Sequence, residues 1–192
     1  MYGHNLNNEE KDILVSVLAL TAAFGIAFRF RSPYGPIFVL AMAFLVSVTA
    51  FLMHELAHRY VARSYGGIAY FKMWPLGLLL ALLTSVFGFI FAAPGAVNIG
   101  GLYRKDQIGK TALAGPAMNI FLGILFYGLS HITVLPVVAL IFGYVAAMNF
   151  WFGFFNLLPI PPLDGYKVMN WDIYVFLVSI IIALIFVALV VF

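Results

Sequence analysis

Residues 37–65 read IFVLAMAFLVSVTAFLMHELAHRYVARSY. This stretch decides the fold because it joins two things that rarely meet. Its first part, Ile37 to Met53, is apolar and uncharged, and a bilayer core takes about 20 helical residues. Its second part carries His54-Glu55-Leu56-Ala57-His58. Ionisable side chains at membrane depth are costly and usually mark a functional site. On a helix, residues four apart share a face, so His54 and His58 can turn imidazole nitrogens toward one metal ion. Glu55, about 100° around the helix from His54, can act on a water held there. The plain alternative is a pair of helix-face histidines stacked on aromatics, with Glu55 near the interface. Gly66-Gly67 offers a C-terminal stop, which places the motif toward one end of the span.

Composition bounds the rest. Of 192 residues, 65% are hydrophobic and 9% charged, and the mean hydropathy is +1.08. Soluble domains are nearer half apolar, so the chain reads as an integral membrane protein forming one domain, 1–192. The net charge of +3 is small and its basic residues are scattered, which gives no nucleic-acid footprint. Cysteine is absent. That excludes disulfides and thiolate ligands, so a metal site must draw on histidine and carboxylate.

Six apolar segments are legible. Ile13 to Phe28 is short and resembles a signal-peptide core, but its acidic flank and the lack of a small-x-small site before Arg29 favour a retained helix. A turn at 32–36 leads into the 37–65 helix. Residues 67–75 lack helix character. Leu76 to Ala93 is a full span or a partly buried strand-like segment, which periodicity cannot separate. Thr111–Leu129, Val134–Leu158 and Ile173–Phe192 complete the set. With six spans the basic residues divide four and six between the two faces, so the positive-inside rule leaves orientation open. Tyr60, Tyr65, Tyr70 and Trp74 fit an interfacial aromatic belt, Arg59 and Arg63 snorkelling contacts, and Arg104 and Lys105 a solvated loop.

A catalytic zinc site takes three protein ligands, and the helix supplies two. His4, His131, Glu9, Glu10, Asp12, Asp106 and Asp172 lie in polar or boundary contexts. Asp164 stands out in Phe155-Asn-Leu-Leu-Pro-Ile-Pro-Pro-Leu-Asp-Gly165. Pro159, Pro161 and Pro162 cannot continue a helix, and non-helical backbone near membrane depth must pack in protein or line a wet cavity. A carboxylate on such an arm would aim inward, with Gly165 freeing the turn after it. The alternative is an interfacial turn whose Asp164 caps the next helix.

These two motifs, with Ala114-Gly-Pro-Ala-Met-Asn119 between them, resemble the site-2 protease family of intramembrane zinc metalloproteases. The three ordered motifs cover residues 54 to 168. The resemblance implies an all-α polytopic bundle of about six transmembrane helices with a small membrane-associated β element, in a multi-pass protein of the cell membrane. It implies one Zn2+ per chain, with His54, His58 and Asp164 as ligands and Glu55 as general base. Asn156 is similar to a family asparagine that holds substrate backbone. Asn149 and Asn119 are further candidates for hydrogen bonding near the site, and helix–helix contact is the competing role for Asn119. Gly115, four residues before Asn119, suits close helix packing. No PDZ-like or CBS module accompanies the motifs, so a minimal catalytic core is expected, with any regulatory partner unknown. The implied partners are the lipid bilayer and a transmembrane protein substrate, bound as an extended strand at a sheet edge in 67–73 or 95–99. A metal transporter would want several intramembrane ligands along a path, and this chain has one cluster. A catalytically dead scaffold would not need Glu55.

Overall fold

The computed structural model describes residues 6–29, 34–91 and 94–191. His4, Arg31, the first two residues of the 32–36 turn and the end of the 76–93 run lie outside them.

Helix α1 spans Leu6–Phe28. Helix α2, Pro36–Val46, continues through a π-helical segment, Ser47–Leu52, into α3, Met53–Ser64. Pro36 sits in the first turn, where its missing N–H costs nothing. At the far end Gly66 has φ +79°, and the Gly67 N–H closes on the Ala62 carbonyl at 3.0 Å. This left-handed stop is the one glycine provides most readily. The rod of 29 residues is about 43 Å long, against about 30 Å of hydrocarbon. Its histidine-bearing end therefore approaches one surface.

Two strands follow, β1 (Ile68–Met73) and β2 (Gly95–Gly100). They pair antiparallel, from Ile68 opposite Gly100 to Met73 opposite Gly95. The apolar run between them is neither a span nor a strand. It forms α4, Pro75–Ser85, 11 residues long, or about 16 Å, half of what a crossing needs. Beyond Ser85 the chain turns at Gly88, φ +84°, and the Phe91 N–H is taken by Thr84 Oγ1 at 2.9 Å. Hydropathy alone could not reveal that break.

Then come α5 (Lys105–Ile132), α6 (Pro136–Asn156), α7 (Asp164–Trp171) and α8 (Ile173–Val191). Among the described residues five helical rods are long and apolar enough to cross a membrane: α1, the 36–64 rod, α5, α6 and α8. The protein is a multi-pass, all-α membrane bundle with one small sheet. Its main core joins Leu20 and Phe24 of α1 to Val46 and Ala50 of the long rod, Phe71 of β1 and Val145 of α6. A second cluster, Ala112, Val168 and Phe176, ties α5 to α7 and α8.

Five crossings instead of six re-sort the charges. Lys11, Arg59, Arg63, Lys72, Arg104, Lys105, Lys110 and Lys167 collect at the end where α1 begins and α3 finishes, and Arg29 lies in the first opposite connection. Arg31 belongs to that same connection by sequence. A division of four and six becomes eight and two.

Candidate active site

The site is built where α3, α5, the 157–163 loop and β2 converge. His54 and His58 point inward from α3 and are buried. The loop after α6 contains a cis Pro161–Pro162 bond and delivers Asp164 at the first position of α7. Asp164 thus opens a short helix instead of ending a wholly extended arm. It is not spent on a cap, since α7 starts after Leu163 with no side-chain cap bond. Gly165 acts by close approach, because a Cβ there would collide with the Leu157 carbonyl. That proximity seats α7 on the loop and aims the carboxylate inward.

Asp164 Oδ2 lies 3.0 Å from His58 Nε2 and 3.3 Å from His54 Nε2, and the two Nε2 atoms are 3.0 Å apart. Ligands about 2.05 Å from a tetrahedral zinc lie about 3.3 Å from one another, so the triangle has the right size. The tautomers agree. His54 Nδ1 is 2.6 Å from Asn119 Oδ1, and His58 Nδ1 is 2.7 Å from the Thr111 carbonyl. Both partners only accept, so each Nδ1 carries the proton and each Nε2 offers a lone pair to the shared point. Three electron-pair donors converging in a buried place need a cation, and they fit a zinc ion. Among the described residues this is the group of His, Asp and Glu side chains able to hold a metal.

The remaining site candidates fall at different distances. Glu55 stands outside the triangle, and its Oε2 accepts the Val97 N–H of β2 at 2.9 Å. Asn156 borders the same cavity and donates to the Phe152 carbonyl of its own helix at 3.0 Å. Asn119 and Asn149 are fully buried behind the histidines. Asn119 Nδ2 donates to the Ala50 carbonyl and to Asn149 Oδ1, and Asn149 Nδ2 to Thr49 Oγ1 and the Val145 carbonyl. Neither amide faces the cavity; both hold the site from behind. Of the other ligand candidates, His131 bonds the Tyr127 carbonyl within its own helix, Asp106 pairs with Arg104, and Asp172 accepts N–H groups at the start of α8.

Several residues matter here in ways the motifs did not reveal. Gly115 lies against the imidazoles, where a Cβ would overlap His58 Nε2. Its spacing to Asn119 was the available signal. Lys167, one turn along α7, reaches Asp164 Oδ1 at 3.3 Å. Thr111 Oγ1 is buried without a protein partner and borders the cavity. Glu9, read as lying in a polar or boundary context, is buried: it accepts the Phe71 N–H at 2.9 Å and pairs with Arg59 at 3.1 Å. Arg59 is thus ion-paired instead of snorkelling, and Arg63 donates to the Ala69 carbonyl at 2.6 Å.

The cavity is about 510 Å³, bounded by the three ligand candidates, Glu55, residues 94–97 before and within β2, and Phe152 and Phe155 of α6. It is large enough for several residues of extended peptide.

Curated proteins similar to this chain bear names of one kind. Putative zinc metalloprotease MJ0611 of Methanocaldococcus jannaschii is 41% identical over 84% of this chain and 83% of its own length. Putative zinc metalloprotease YwhC of Bacillus subtilis is 30% identical over 73% of each. Putative zinc metalloprotease Rip2 of Mycolicibacterium smegmatis is 30% identical over 82% of this chain and 69% of its own. No family model matches the chain. No solved structure matches it.

Proposed function

The chain belongs to the site-2 protease type of zinc metalloprotease, and we propose that it hydrolyses peptide bonds within or at the edge of membrane-spanning segments of other proteins. The observation that carries the reading is the triangle of His54 Nε2, His58 Nε2 and Asp164 Oδ2, formed by motifs about 100 residues apart and opening on a peptide-sized cavity. Those three atoms would hold the zinc. When bound, zinc supplies Lewis acidity that polarises a carbonyl and makes water nucleophilic at neutral pH.

The chain's own groups supply the rest. Glu55 accepts the proton of the attacking water and returns it to the leaving amine. Asn156, on the cavity wall, turns its amide from its own helix to the substrate backbone. The apolar walls, Phe51, Phe152 and Phe155 among them, exclude bulk water around the reacting bond. The substrate must arrive unwound, because a helical carbonyl is already bonded to its own chain. Segments with Gly, Pro or Asn near the cut are therefore favoured.

The sheet supports docking on one edge. On the outer side of β1, the Phe71 N–H goes to Glu9, the Met73 N–H to Asp12 and the Ala69 carbonyl to Arg63. That edge is closed by side chains. The outer edge of β2 borders the cavity, so a peptide strand has its room there.

The test uses zinc-loaded protein in proteoliposomes with a membrane-spanning test substrate. Glu55→Ala keeps one zinc per chain and loses turnover, while His58→Ala and Asp164→Ala lose the zinc. Hydrolysis retained in Glu55→Ala, or zinc indifferent to Asp164, refutes the assignment.

A further inference from the structure

The general base is held by the strand on which substrate docks. Glu55 Oε2 accepts the Val97 N–H at 2.9 Å, and Val97 lies in β2 opposite Phe71. The Phe71 N–H also leaves the sheet, toward Glu9. The ladder between the strands therefore does not run through this pair, and the Val97 N–H faces outward over the cavity. An added strand must bond to that donor. Neighbouring strands lie about 4.8 Å apart, so the donor that a peptide needs is the one Glu55 occupies. A single N–H serves one good acceptor.

We propose that the Val97 N–H is a specificity-determining group and that Glu55 is its placeholder: a peptide carbonyl pairing with Val97 displaces the Glu55 carboxylate and so frees the base for water. This rests on the protease reading above. It deepens that reading by coupling docking to catalysis. A helical segment, whose carbonyls are internally bonded, cannot release Glu55. An extended one can. The enzyme is then quiet toward intact transmembrane helices that drift past its cavity, and the selectivity needs no side-chain contact.

Competition for one donor is measurable without turnover. The probe is a short, neutral, acetylated and amidated Val/Thr peptide, shown by mass spectrometry to stay intact, titrated against zinc-loaded full-length protein in detergent. Removing the competitor by Glu55→Ala tightens binding about tenfold, the worth of one charge-assisted bond. Val97→Pro removes the donor, and an edge position with its N–H off the ladder tolerates proline. In that background Glu55→Ala brings no gain. The double-mutant cycle isolates the coupling. An equal gain in both backgrounds means that Glu55 acts only by charge or bulk and overturns the proposal, as does no gain in either or no peptide binding to any variant. If Val97→Pro loses its zinc or its wild-type melting, an ester in place of the amide at position 97 removes the same N–H and keeps the side chain. Failure of the protease reading is seen separately, as wild-type protein that leaves the transmembrane test substrate uncut.

Discussion

Gly115→Ala separates the site from the fold, because its two effects have opposite signs. A Cβ at Gly115 overlaps His58 Nε2 and stands 2.6 Å from Cε1 and Nε2 of His54. An ordinary contact is about 3.5 Å, so the His54 ring must retreat by about 0.9 Å and the His58 ring further. Metal–ligand distances tolerate about 0.2 Å. Disturbing the partners behind a ligand already costs about 10–100-fold in affinity, and moving two ligands costs more, so zinc affinity falls at least about 100-fold. The helix responds the other way. Alanine in a helix interior is favoured over glycine by about 0.5–1 kcal/mol, and the rings can swing toward the cavity once they hold no ion. Zinc-free protein should then melt at or above the wild-type temperature. Zinc per chain and chelator competition read the first effect, and melting with and without chelator reads the second. Gly128→Ala, in the same helix with nothing near its Cβ, is the control and keeps its zinc. Wild-type zinc affinity in Gly115→Ala would show that the imidazoles do not sit against α5 as described.

Two further outcomes follow from neighbouring geometry. Asn119→Ala removes the acceptor that fixes the His54 tautomer and should weaken zinc about 10–100-fold by chelator competition; unchanged affinity would reduce Asn119 to helix packing. The chain lacks cysteine, so single reporters are clean. Tyr103→Cys before α5 and Val134→Cys after it, both at highly exposed positions, should react with a membrane-impermeant maleimide from opposite faces, Tyr103→Cys from the cytoplasmic side by the charge bias. Labelling of both from one face would break the five-span topology, and swapped faces would break the charge argument.

Much of this was readable because polarity is conspicuous in an apolar chain. Of the twelve buried polar side chains among the described residues, seven belong to the site or its support: Thr49, His54, His58, Thr111, Asn119, Asn149 and Asp164. Five of those seven, all but the two threonines, were chosen from motif and context. The long spans were legible for the same reason. The failures have physical causes. Residues 76–93 are apolar enough to cross, and only the backbone break after Ser85 shortens the helix. Glu9 and Arg59 look like surface charges, since nothing local says that a strand 62 residues away will offer its Phe71 N–H to Glu9. Asn119 and Asn149 were read as hydrogen-bonding candidates near the site, with helix–helix contact the competing role for Asn119, and an amide alone does not reveal that Asn119 will do both, meeting His54 and the Asn149 amide of another helix. Gly115 was read as packing, and so it is, but the surface packed against it is a pair of imidazoles.

The arrangement also explains why a His-x-x-x-His helix is insufficient by itself. The amide order behind His54 has one sense. Asn149 Nδ2 must donate, because the Val145 carbonyl only accepts; its Oδ1 is then left to take Asn119 Nδ2. Asn119 Nδ2 is fixed again by the Ala50 carbonyl, so its Oδ1 faces His54 Nδ1. Reversing either amide would set oxygen against oxygen in a buried place, where an unpaired polar group costs about 1–3 kcal/mol. Polarisation along such a chain in a low dielectric reinforces the same sense. Its anchors, Thr49 and Ala50, lie in the π-helical segment just before the motif, and such wide turns recur at functional sites. The lone pair that His54 offers to a metal is therefore set by three packed helical rods, while His58 takes its orientation from the Thr111 backbone of α5. The chemistry of the motif is local, but its aim comes from the bundle.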